Sequence, residues 1–433
     1  MVTTVQKLTL CSLLFPAMVL CCVSGAEITL APPPRPVAST GNTPESEEEA
    51  NYKRALLLIR TMEMLRARYV DSDKVSYGKL FDHAMQGMIS ALDPYSDYET
   101  PREFTSQQIR RTGELVGIGA MAVKPEGRPV TLIRILPGTP AEKAGLKPGD
   151  QIIAIDGEKI HKLNLTGALK KLRGISGTTV KLQIRRNDQV LHSTLVRRKV
   201  QTPSVVPGSV RLFHGKIGYL KLTSFTGSTP GEVEAALKKL HALKAEAIIM
   251  DLRYNPGGVV DAGVKTASFF LPPGKVVFRA KARDKESEKT ALTRNSAFCD
   301  TVTPLLLLTN EYTASCSEIL AGALQDHKRA RLLGVRTFGK GTILHVVPVP
   351  GGGAVRFAAA HYVTPGGRVI EKKGLIPDIE VRLPSRAVMI LSGQSLRYPG
   401  MIRPPHRGAV EDLQLRRAVG LLMRELKNKA VSP

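Results

Sequence analysis

Between Tyr52 and about Phe104 apolar residues recur at helical spacing: Leu57, Leu58, Met62 and Leu65, then Leu80, Ala84, Met88 and Leu92, with Asp93-Pro94 closing the second run. This spacing predicts a helical preface. From residue 112 to 200 the period shortens, and VTLIRIL, DQIIAID and TVKLQIRR read as strands separated by Pro-Gly and Gly-Asp turns and one short helix. That helix is well punctuated: Thr139 can cap it, Pro140 takes the first helical position, Glu142 completes a capping box, and Gly145 ends it in a left-handed turn. From 205 to 383 strand and helix alternate: KIGYLKL, PGEVEAALKKLHAL, AEAIIMDL, a YNPGG loop, an apolar helix, PLLLLT, SEILAGALQDH, RARLLGV and further strands. Such alternation predicts an α/β layer. A Pro- and Arg-containing stretch after Leu383 leads to a final amphipathic helix near 411–427, and no internal repeat is visible.

The chain's beginning has a different character. Lys7 precedes an apolar run from Leu8 to Val23, followed by Ser24-Gly25-Ala26 at cleavage spacing, which predicts a bacterial-type secretory signal over residues 1–26. Pro16 breaks the run, which is short for a membrane-spanning helix. Leu20 is too bulky before Cys21 for a lipid-attached cysteine. Residues 27–50, rich in Pro, Ser and Glu, read as a disordered linker, with structure beginning near Ala50. The expected organisation continues with a helical segment at 51–111, a small domain at 112–200, an α/β core at 201–383 and a tail with a helix at 384–433.

Composition narrows the setting. The 433 residues, 42% apolar, can bury a large core in two or three domains. No later segment approaches transmembrane length, so the mature protein is expected to be soluble and exported, in the periplasm or cell envelope. Loss of the leader leaves two of five cysteines, Cys299 and Cys316, enough for at most one disulfide. The net charge of +24 favours anionic envelope surfaces. Scattered basic residues and 5% aromatics do not make a nucleic-acid footprint. No His, Asp or Glu cluster has ligand spacing, and neither a metal nor a cofactor is expected.

Chemistry concentrates where a strand turns into a helix through Thr313-Ala314-Ser315-Cys316-Ser317-Glu318. Ser315 lies three residues before Glu318, the spacing of a plain capping box. The same place would expose a nucleophilic hydroxyl beside backbone N–H groups able to stabilise an oxyanion. Such a hydroxyl needs a base, and Phe338-Gly339-Lys340-Gly341 supplies a glycine-flanked lysine. Acting near neutrality, an amine must fall from about 10.4 to about 7, a differential of about 4 kcal/mol that burial can supply. A second reading makes Cys316 a thiolate nucleophile partnered by His327 or His345. Ser76-Tyr77-Gly78-Lys79, a Ser-x-x-Lys by chance, carries no weight.

Two resemblances join these parts. The stretch GTPAEKAGLKPGDQIIAIDG, with Gly117-Ile118-Gly119 upstream, resembles a PDZ domain, which takes a peptide C-terminus as an added strand and its carboxylate on a glycine-containing loop. This implies peptide-binding roles for Leu115, Gly117, Ile118 and Gly119. TNEYTASCSEILAGALQDHKRARLLGVRTFGKGT together with IIMDLRYNPGG resembles the carboxy-terminal processing proteases, Ser-Lys endopeptidases, over roughly residues 50–383.

The likeness implies a multidomain α/β and α+β chain: a ClpP/crotonase-like protease core, an inserted PDZ domain and a helical N-terminal segment. It also implies Ser315 as nucleophile, Lys340 as base, and an oxyanion hole from the N–H of Cys316 and of Gly257 or Gly258. The family usually places a glutamine four residues after the lysine, and this chain has Leu344 there, which cannot hold an amine by a hydrogen bond. A Ser-Lys dyad is therefore expected, with Thr342 able to share the lysine's face. Its partners are protein or peptide substrates held by their C-termini. The alternative of another class is a PDZ adaptor that binds C-termini without cleaving them.

Overall fold

The computed structural model describes residues 44–112, 114–124, 129–136, 138–161, 163, 165–187, 189–397, 401–402 and 409–431. The leader at 1–26 and most of the expected linker lie outside them. Two compact units emerge: residues 44–102 with 344–358, and residues 103–343 with 359–433.

In the first unit, α1 (Pro44–Arg68) and α2 (Tyr77–Ser90) form the helical preface. α1 starts inside the stretch read as linker, because Pro44 suits a first helical position and the acidic residues after it complement the helix dipole. Ser76 caps α2 by accepting from Lys79 N, so the chance Ser-x-x-Lys is a helix start. The helical period is real, but Leu57, Leu58, Met88 and Leu92 of its stripe are exposed. Strand β1 (Asp97–Glu99) pairs antiparallel with residues 354–356.

The second unit follows with most of α3 (Pro101–Thr112), which lies almost wholly within the helical segment expected at 51–111, and then a small β domain. There β2 (Glu114–Gly117), β3 (Ala120–Val123), β4 (Val130–Ile135), α4 (Pro140–Lys143), β5 (Gln151–Ile155), β6 (Glu158–Lys159), α5 (Leu165–Leu172), β7 (Thr179–Arg186), β8 (Gln189–Val196) and β9 (Arg198–Gln201) follow one another. One sheet runs β3-β4-β5-β7-β8, and β2 pairs with β9. Alternate residues Leu182, Ile184, Ile152 and Leu132 fill a core of its own. At α4 the expected capping box is not made: Thr139 Oγ1 donates to Leu136 O (2.6 Å), and Glu142 takes the N–H of Gly138 instead (2.7 Å). Gly145, at φ +68°, does end the helix in a left-handed turn.

The larger domain is built on six strands: β10 (Arg211–Phe213), β11 (Ile217–Lys221), β12 (Ala247–Asp251), β15 (Leu305–Thr309), β16 (Ala330–Gly334) and β19 (Ile379–Glu380). All pairs except β10 with β11 are parallel. Their apolar runs are continuous because both faces are covered. Ile248, Met250, Leu305 and Leu307 face α6 (Thr229–Ala242), α7 (Val260–Ala267) and α8 (Cys316–Asp326). Ile249, Leu306 and Leu308 face α10 (Leu413–Val431), whose Leu415, Ala418, Val419 and Leu422 are buried. The final helix is thus one layer of the main sandwich. An added helix, α9 (Ser385–Arg397), precedes it and was not legible from periodicity. β13 (Val276–Ala282) pairs with β14 (Lys289–Leu292) and with residues 360–363 of β18 (Ala354–Val363), which also pairs with β17 (Thr342–Pro348). Cys299 and Cys316 are free thiols, so the disulfide that two cysteines allowed is not made.

Candidate active site

Ser315 sits between β15 and α8 with φ +58° and ψ −121°. A helix cap ordinarily has extended backbone, whereas this conformation in a residue with a β-carbon costs about 1–3 kcal/mol and persists only where its surroundings impose it. The reciprocal arrangement of a capping box is present, yet the hydroxyl is also hydrogen-bonded to the phenol of Tyr362. Capping is a correct reading of Ser315 and an incomplete one.

Glu318 does more than cap. Fully buried, it accepts from Ser315 N (2.8 Å), Lys340 N (2.9 Å), Gly339 N (2.8 Å) and Thr337 Oγ1 (2.5 Å). One carboxylate therefore ties the serine turn to the glycine-lysine turn, two segments 25 residues apart in the chain. Burial pushes the Glu318 carboxyl above its usual range, and the four hydrogen bonds pull the other way without cancelling it. The tie is reinforced by Tyr362, a buried phenol on β18 that donates to the Lys340 carbonyl as well as meeting Ser315. Burial drives the Tyr362 pKa well upward, so it stays protonated.

The half-buried Lys340 is framed by close backbone approach. A β-carbon at Gly341 would come within 2.4 Å of Glu371 N, and one at Gly339, where φ is +89°, within 2.8 Å of Gly374 N. Only glycine fits both places. Thr342 turns its hydroxyl to Glu371 Oε2 (2.8 Å), which also takes the N–H of Gly341 (2.8 Å). Leu344, two residues further along β17, is half-buried.

Opposite the serine lies the YNPGG turn. Ala314 N donates to Asn255 O (3.0 Å), and a β-carbon on Gly257 would stand 2.7 Å from Cys316 N. At Gly258 it would strike Phe225 O at 2.0 Å. The N–H of Gly257 is given to Asn255 Oδ1 (2.9 Å). Thus the predicted residues Ser315, Cys316 and Gly257 converge on one spot, with Gly258 next in the chain and packed on Phe225.

The thiol reading fails on geometry. Cys316 is wholly buried, with Sγ 3.4 Å from Val259 O and against the Gly263 backbone. His327 caps the far end of α8, about 16 Å along the helix by its rise per residue, and its Nε2 lies 2.7 Å from Val276 O. His345 makes an edge-on ring contact with Phe357 at 6.0 Å.

In the small domain, Leu115 and Gly117 are backbone-paired with Val200 and Arg198 on β9. The chain then turns: Ile118 O accepts from Ala141 N (2.8 Å) and Gly119 O from Leu136 N (2.9 Å). Ile118 belongs to that domain's core, and Gly119, at φ +80°, lies so close to Thr139 that no β-carbon would fit. Among the described residues β3, which follows this turn, is an edge strand.

Sequence reasoning missed Tyr362, Thr337, Glu371 and the polar role of Asn255. Asn255 had a visible signal in its place before Pro-Gly-Gly. Tyr362 had none, being one residue of an ordinary strand.

Comparison with known proteins identifies both domains. Residues 216–381 match the model of peptidase family S41, and residues 106–185 match that of the PDZ domain. The chain is 34% identical over 357 residues to a carboxy-terminal-processing protease of Bartonella bacilliformis, covering 78% of this chain and 77% of the relative. It is 35% identical over 329 residues to a carboxyl-terminal-processing protease of Synechocystis, covering 74% and 75%. A solved structure of a putative S41 protease from Bacteroides fragilis has the same fold, with a TM-score of 0.54 at 16% identity over 84% of this chain and 96% of that one. No described helix is long and apolar enough to cross a membrane.

Proposed function

The chain belongs to the carboxy-terminal-processing proteases, serine endopeptidases that carry a PDZ domain, and on that premise we propose that it cleaves by a Ser315-Lys340 mechanism. The observation that supports the reading most is the Glu318 carboxylate, which joins the backbone of Ser315 to that of Lys340. A neutral Lys340 amine takes the Ser315 proton as the oxygen attacks the scissile carbonyl. The developing oxyanion is received by the N–H of Cys316 and that of Gly258, since Asn255 already occupies the N–H of Gly257. Lysinium then protonates the leaving amine, and water releases the acyl group by the reverse sequence. Thr342 fixes the strand after the lysine through Glu371, and Leu344 takes the family's glutamine position without its amide.

In this reading the PDZ domain selects substrates by their C-termini: a peptide adds to the β3 edge and its carboxylate meets the Gly117-Ile118-Gly119 turn. The leader at 1–26 directs export to the periplasm or envelope, where the strong positive charge, still about +23 after Lys7 leaves with the leader, favours anionic surfaces. The test is cleavage of an unfolded protein with an apolar C-terminus. Ser315→Ala and Lys340→Ala are each expected to lower kcat by at least about 1,000-fold while circular dichroism stays native. Wild-type rates in both would remove the assignment, whereas binding of that substrate without any cleavage by the wild-type chain would leave a C-terminus-binding adaptor.

A further inference from the structure

Near the serine turn lies a second buried cluster that the mechanism does not use. Arg253, 3% exposed, gives Nε to Asp251 Oδ1 (3.0 Å) and Nη2 to Asp251 Oδ2 (2.8 Å). Its other edge turns to the C-terminal segment, with Nη1 to Asp412 Oδ1 (2.8 Å), Nη2 to Asp412 Oδ2 (2.7 Å) and Nη1 to Gln414 Oε1 (3.0 Å). Lys221, also buried, lies 3.3 Å from Asp251 Oδ2 and from Arg253 O. The next residue is held from the same side, Tyr254 Oη donating to Val388 O on α9 (2.9 Å). Tyr254 is strained at φ +64°. One step on, Asn255 fixes the N–H of Gly257 and takes the N–H of Ala314 and the hydroxyl of Ser317 (3.0 Å).

From this continuous path we infer that Asp412 is a positioning residue for the protease site. By holding Arg253, the start of α10 sets the turn that carries Gly258, across from Ser315. The inference rests on the oxyanion role proposed for Gly258. Its charge logic is simple: two buried cations face two buried carboxylates, and without Asp412 the cluster holds one uncompensated positive charge that only movement toward water relieves. Asp412 Oδ1 also caps α10, accepting from Leu415 N (3.0 Å). Asparagine caps equally well, so Asp412→Asn removes the charge and spares the helix start.

The experiment compares Asp412→Asn with Leu415→Ala, which loosens the packing of α10 without touching Arg253, and with Ser315→Ala. All are read as kcat, KM and melting temperature on a peptide with an apolar C-terminus. Asp412→Asn is expected to lower kcat at least about 10-fold with KM within about 2-fold at a temperature where it is fully folded, part of the 100- to 1,000-fold effect of losing an oxyanion donor. Leu415→Ala is expected to keep kcat despite a lower melting temperature. Unchanged kcat in Asp412→Asn, or kcat losses in both variants that merely follow melting temperature, would overturn the inference. Should Asp412→Asn not fold, Gln414→Ala removes one neutral acceptor: about 3-fold lower kcat supports the inference and no change overturns it. A Ser315→Ala variant that still cleaves would instead sink the site assignment, independently of the tail.

Discussion

Two carboxylates flank the serine turn, both fully buried, and they behave in opposite ways. Glu318 is met by three backbone N–H groups and a hydroxyl, and its burial wins, raising its pKa. Asp251 is met by Arg253 and Lys221, and although burial would raise it, those cations hold it well below the usual carboxylate range. Dipoles can position a backbone without making a fixed charge a condition of folding. An ion cluster ties distant segments more strongly, but it tolerates no missing member. The first device organises the proposed nucleophile and base, and the second anchors the C-terminal layer.

The largest expected effect breaks the second device. Asp251→Asn leaves Arg253 and Lys221 with only Asp412, and a loss of about 3–5 kcal/mol in urea unfolding is expected. Glu318→Gln comes next. Four donors converge on two oxygens, and an amide supplies one acceptor and turns an NH2 toward the rest, for an expected loss of about 2–3 kcal/mol. Because the same change displaces the Ser315 and Lys340 backbones, kcat is expected to fall about 100-fold. A protein that loses stability but keeps kcat would separate the clamp from the chemistry.

The pH dependence sharpens the contrast. Asp251, depressed in the fold, contributes stability above its usual value of 3.8 that is lost as the pH falls through its lower folded value. Glu318, raised in the fold, contributes stability that is complete below its usual 4.5 and is lost as the pH rises through its higher folded value. Melting temperature against pH should therefore lose part of its acid limb in Asp251→Asn and gain a flatter profile above pH 4.5 in Glu318→Gln. Identical profiles in wild type and both variants would contradict the assigned directions. The smallest effect is expected for Tyr362→Phe, about 1 kcal/mol of stability and a few-fold change in kcat, since one hydroxyl is lost and the ring remains.

Much of this was legible in the residues. Ser315 and Lys340 stand out as a hydroxyl where a strand turns into a helix and a glycine-flanked lysine after an apolar strand, whereas Cys316 and the Gly257-Gly258 pair are reached as oxyanion donors only through the family resemblance. The α/β layer announced itself through the alternation of strand-like and helical runs between 205 and 383. What stayed hidden depends on contacts across the chain. Glu318 read as a local cap because three of its donors come from residues 337–340. The final helix reads as a tail that packs back on the body, but nothing local reveals that Leu415 and Leu422 cover the sheet face of Ile249, Leu306 and Leu308. The stripe on α1 shows the converse, a true helical period in which Leu57 and Leu58 stay exposed and Met62 and Leu65 are only half-buried.

The central claim, that Lys340 activates Ser315 and Glu318 keeps the two in place, is met most directly by serine-directed fluorophosphonate labelling followed by mass spectrometry. The account predicts a single adduct on Ser315, formed at least about 100-fold more slowly in Lys340→Ala and in Glu318→Gln, since an unactivated hydroxyl is a weak nucleophile. An adduct on another residue, or a labelling rate on Ser315 unchanged by either substitution, would contradict it.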